Sequence, residues 1–97
     1  MADRNLISWV RGAQIVTTEE GAHYLLAWGE NASSIVGCPE LRPRPDSPCD
    51  FDFLVESGPH PIITPAAAIA HLPVDICLQI CVHGQNGPVC IPWAKAR

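Results

Sequence analysis

Charge is what this chain has least of. Only 16% of its 97 residues are Asp, Glu, Lys or Arg, against about 25% in an ordinary soluble domain. Cations are the scarcer sign, with one lysine and five arginines against ten acids and a net charge of −4. Gripping a phosphate backbone takes clustered basic residues, and Arg42 with Arg44 is the one close basic pair in the body of the chain. Nucleic acid is therefore a poor partner.

Long apolar runs are also missing. The longest, Pro61 to Pro73, is too short to span a bilayer and is broken by proline and polar residues, so no membrane partner is expected. The opening MADRNLISWVRG has no basic region leading into an apolar run and no small-residue cleavage site. That reading places the chain in the cytoplasm or within a virion or other assembly, with its cysteines reduced. On the same view the sequon at Asn31 carries no glycan. A glycine-rich phosphate loop, a GxSxG elbow, an HExxH pair and a CxxC knuckle are all absent from the sequence. Nothing here argues for catalysis or for a small-molecule ligand, and a non-enzyme is expected.

What is present is hydrophobic patterning in a chain long enough for one domain, residues 1–97, with a single core. Proline is absent from the first 38 residues, and all ten prolines follow. Residues 75–93 carry the clearest pattern. Ile76, Leu78, Ile80 and Val82 alternate with Cys77, Gln79, Cys81 and His83, which gives a strand with two unlike faces. Gly84-Gln85-Asn86-Gly87 supplies turn chemistry. The return strand then sets Val82 against Val89, Ile80 against Ile91, Leu78 against Trp93 and Cys81 against Cys90. Pro88 and Pro92 cannot donate to a ladder, so this strand belongs at a sheet edge.

A second hairpin is expected over 14–28, turning at Glu20-Gly21 and pairing Val16 with Leu25. Tyr24, Leu26 and Trp28 would share its core face. The competing reading makes 18–28 a helix, with Thr17-x-x-Glu20 as a capping box and Gly29 as its stop. DFDFLVE gives a strand over 51–56 with Phe51, Phe53 and Val55 inward. PELRPRPDSP is expected to be a proline-rich loop over 39–48. Thr64-Pro65 followed by AAAIAHL reads as a short helix over 65–72. The fold class expected is a mainly β single-domain sheet, sandwich or partly open barrel with one short helix, or α+β if 18–28 is helical.

Two groups of residues invite a functional reading. Cys81, His83 and Cys90 converge in the hairpin, and zinc would need a fourth ligand from Cys38, Cys49, His60 or His71. The alternatives are buried free thiols or a Cys81–Cys90 disulfide, the latter in an oxidising compartment. No other cofactor is expected. His83, beside the turn, is expected to be exposed. Arg42, Arg44, Pro45, Pro48 and Trp93 are candidate contacts to a protein partner, and Arg42-x-x-Pro45-x-x-Pro48 matches the spacing of peptides that bind SH3 domains.

The expected function is a structural or interaction subunit that docks on a larger assembly or on itself, such as a phage or viral accessory protein. A zinc-stabilised module is one alternative. An acidic inhibitor acting through Asp46, Asp50, Asp52 and Glu56 is the other.

Overall fold

Alternation of side chains drives the architecture, and the chain becomes two sheets packed over one core. The computed structural model describes residues 4–72 and 77–93. Its strands are β1 (Asn5–Leu6), β2 (Trp9–Thr17), β3 (His23–Asn31), β4 (Ile35–Arg44), β5 (Ser47–Ser57), β6 (Thr64–Leu72), β7 (Gln79–Gly84) and β8 (Gly87–Pro92). The fold is mainly β, without a helix among the described residues.

Sheet B is β2-β3-β6, antiparallel throughout. Sheet A is built around β5. Along one side of β5 lies β4; along the other, β7 and β1 follow one another end to end, and β8 extends the sheet beyond β7. The β5–β7 pair is parallel, an arrangement made possible because the chain leaves sheet A, builds β6 in sheet B and returns. Phe51, Phe53 and Val55 of β5, with Ile80 and Val82 of β7, meet Leu25, Ala27 and Leu72 of sheet B in the core. Burying such aliphatic and aromatic side chains contributes about 1.5–3 kcal/mol each before entropy is counted.

The β7–β8 hairpin has the register read from its alternation. Val82 lies opposite Val89, Ile80 opposite Ile91 and Cys81 opposite Cys90, around a Gln85-Asn86 loop, with β8 at the sheet edge. Leu78 departs from that reading and is 91% exposed. Residues 75 and 76 lie outside the described residues.

Three expectations are corrected. The segment 65–72 is strand β6, not a helix. Two turns of helix are marginal on their own, whereas β3 offers a partner along all nine residues, and proline is tolerated at the first residues of a strand. Residues 39–48 are not a loop but most of β4 and the start of β5, joined by a turn at Pro45-Asp46. The prolines are accommodated because β4 is an edge strand with a bulge between Val36 and Glu40, where Gly37 takes a φ of +73°. The 14–28 region is a hairpin, so its helical alternative falls. Its pairing is one residue off the expected register, with Ile15 opposite Leu25 and Val16 opposite Tyr24.

One buried polar side chain holds the strand ends together. Asn31, 2% exposed, accepts from Ser8 N and Oγ through Oδ1 and donates to Ser33 O, Ser33 Oγ and Ser57 Oγ through Nδ2. The sequon asparagine is thus consumed by the fold.

Candidate functional site

The proposed zinc ligands do not form a metal site. Cys81 and Cys90 face each other across a hairpin with Cα atoms 4.0 Å apart and are joined as a disulfide, which leaves neither thiolate free to bind metal. Cys49 and Cys77 form a second disulfide, and only Cys38 is free. No cluster of potential ligands occurs among the described residues. His83 is not an exposed residue beside a turn either. Its side chain is 18% exposed, and Nε2 donates to Asp50 Oδ1 at 2.9 Å.

Asp50 also accepts from Ser47 Oγ. These two hydrogen bonds, Ser47 first and His83 second, hold the Asp50 carboxyl below the usual range. Ser, Asp and His therefore stand in a row, but in an order unsuited to nucleophilic catalysis. Activating the hydroxyl requires an imidazole next to it; here the carboxylate occupies the middle, and its lowered pKa makes it a weak base. The row ties β5 to β7.

The residues expected to meet a partner are dispersed. Arg42 pairs with Glu40 at 3.1 Å and Arg44 with Asp52 at 2.8 Å, both on the outward side of sheet A. Pro45 lies in the β4–β5 turn and Pro48 begins β5, so the Arg-Pro-Pro spacing bends back through a hairpin. It cannot lie as one extended ligand in a groove. Trp93 is buried, 8% exposed, with its ring edge-on to His23 at 5.5 Å.

The surface that stands out is the outer face of sheet B, which alternation located but assigned to the wrong side. Leu25 and Ala27 are the core residues of β3; Tyr24, Leu26 and Trp28 point outward, and Trp28 is 40% exposed. Cross-strand register extends this face in rows: Val16, Tyr24 and His71; Gln14, Leu26 and Ile69; Gly12, Trp28 and Ala67. Ile69 is 63% exposed. Trp28 lies over Gly12, where a Cβ would collide with its ring. Glu30, at one end, is neutralised by Arg11 at 3.1 Å. Both faces of β3 are apolar, so volume favoured the wrong side.

A second feature lies between the sheets, where β2 and β8 meet. Asn86 of the β7–β8 turn accepts from Val10 N at 3.0 Å and donates to Val10 O at 3.2 Å. Its amide thus stands in for one rung of a strand. Gln85 N and Nε2 add bonds to Ile7 O and Leu6 O. From this clasp β2 and β8 run in the same direction beside a cleft of about 320 Å³ lined by Ala13, Gln14, Ile15, Thr17, His23, Ile91, Pro92 and Trp93. The sequence marked Asn86 only as a turn residue, and no local pattern reveals the clasp. Compared with known protein families, curated proteins and solved structures, the chain matches none.

Proposed function

We propose that this chain is a non-enzymatic structural or interaction subunit that docks through the outer face of sheet B on copies of itself within an assembly. The observation that carries this reading is the composition of that face: Val16, Trp28 and Ile69 are exposed, with Leu26 half-buried between them, and no free charge stands among them. Exposed apolar patches of this kind mark contact sites, and a face without unpaired charge meets its own copy without charge repulsion. Three strands of nine residues outline about 30 by 14 Å, roughly half of the ~800 Å² each partner contributes to a standard interface. A contact that small is weak alone and suits a subunit that makes several contacts at once.

The acidic-inhibitor reading loses support, since Asp50 and Asp52 are engaged by His83 and Arg44. Two disulfides favour maturation in an oxidising compartment over the reducing one expected from the sequence. Sedimentation velocity from micromolar to millimolar concentration tests the proposal. Reversible association that Trp28→Ala weakens is the expected result. A monomer throughout, or association indifferent to Trp28→Ala, overturns it.

A further inference from the structure

The geometry points to the cleft between β2 and β8 as a binding site for an extended peptide segment, which adds as a strand between the two rims. Among the described residues both rims are open strand edges: β2 is paired only with β3, and β8 only with β7. A cleft bounded by two rows of unpaired N–H and C=O groups is complementary to a third strand, because only extended backbone presents donors and acceptors at that repeat. At its closed end the molecule already uses a substitute for such a strand. The Asn86 amide supplies one donor and one acceptor to Val10, and beyond it the described residues supply none.

Direction follows from the topology. β2 and β8 both run away from the clasp, so a single inserted strand can be antiparallel to both, the more stable pairing. Its carboxyl end then points toward Asn86, and its amino end lies near Thr17 and Trp93.

Side-chain preference follows from the lining. Ala13, Ile15 and Ile91 are partly buried against the core, so alternate residues of the occupant would enter an apolar space. At about 320 Å³ the cleft is near the small end of ligand cavities, which run from about 300 to 1,000 Å³. It favours small aliphatic residues such as valine over aromatic ones. Among the described residues no Asp, Glu, Lys or Arg lines it, so a charge inserted beside them would lose hydration without gaining a partner. His23 is the one titratable residue among the described lining residues. Its Nδ1 shares a hydrogen bond of 2.9 Å with Thr17 Oγ1, which leaves Nε2 for a polar contact at the mouth.

The test is an NMR titration of the oxidised protein with a capped heptapeptide that alternates valine and threonine between terminal lysines. A second peptide carries N-methyl groups at alternate backbone nitrogens and cannot donate there. The expected result is saturable shifts of the amides of Ala13–Thr17 and Val89–Trp93, with affinity on the order of a hundredfold lower for the methylated peptide, which loses about three donors at ~1 kcal/mol net each. Ala13→Phe, verified as folded by its spectrum, fills the cleft and abolishes these shifts. Equal binding of the two peptides, shifts confined to the outer face of sheet B, or no shift at millimolar peptide overturns the inference. Because the outer face and the cleft report through different amides, failure here is distinguishable from failure of self-association.

Discussion

Sheets A and B close over one core, yet their outward residues obey opposite rules. On sheet A the outward face carries three polar pairs, Arg42 with Glu40, Arg44 with Asp52 and His83 with Asp50, and among the described residues Val36 is its one large apolar side chain exposed beside them. The same face carries the Cys81–Cys90 bond across its edge hairpin. On sheet B the corresponding positions are Val16, Leu26, Trp28 and Ile69. A polar, internally paired surface is finished in water. An exposed apolar one is the face through which we propose that the chain associates. The contrast teaches that outward residues should be read against those of the opposite sheet, since exposed apolar side chains are common taken singly.

The contrast can be broken at its strongest point by removing the covalent tie. Replacing Cys81 and Cys90 together with alanine should lower stability by about 2.5 kcal/mol, the entropy of a short closed loop, as measured by urea unfolding. Self-association should be unchanged, and a loss of association would mean that the two faces are not independent. On the other face, Trp28→Ala should weaken association by about 2 kcal/mol, or roughly thirtyfold, in sedimentation equilibrium. It should shift the urea midpoint far less than the disulfide deletion does.

A finer test uses pH. Asp50 is held below its ordinary carboxyl range by Ser47 and His83, so between its folded and unfolded pKa values the unfolded chain binds more protons. Its stabilisation is complete above the unfolded value near 3.8 and is lost as pH falls through the lower folded value. Asp50→Asn should flatten the acid limb of the melting-temperature profile while costing under about 1 kcal/mol at neutral pH, because the pair is partly exposed. The smallest effect belongs to Arg42→Gln. Its ion pair with Glu40 is solvent-exposed, and stability should move by no more than about 0.5 kcal/mol. A larger loss would mean that the charged face is more than a solvated surface.

Legibility in the sequence followed the strength of local contrast. In 79–92 the faces differ in kind, with Ile80, Val82, Val89 and Ile91 against Cys81, His83, Pro88 and Cys90, and a glycine-flanked turn fixes the register. In β5 the outward acids Asp50, Asp52 and Glu56 settle which side is in. In β3 both faces are apolar, so alternation established a strand without saying which side faced the core. In β6 the alanines carry helix propensity, and pairing with β3 overrode it. The Asn86 clasp joins residues 76 positions apart, beyond the reach of any local pattern. The cleft is no more legible, because it is a gap between strands that never pair.

The odd cysteine bears on how the native molecule is reached. Cys49 bonds with a residue 28 positions later, after the chain has crossed to sheet B and back. Cys38, exposed next to the Gly37 bulge, lies much closer along the chain and is synthesised first. Under oxidant during synthesis, the earliest bond available is Cys38 with Cys49, which the native fold does not contain. The Cys81–Cys90 bond escapes this conflict, since its partners are nine residues apart within one hairpin. Were a Cys38–Cys49 bond to form under oxidant, the native pairing could be reached only by thiol exchange at Cys49. Removing Cys38 would then act on the yield of native protein, not on the stability of molecules already folded.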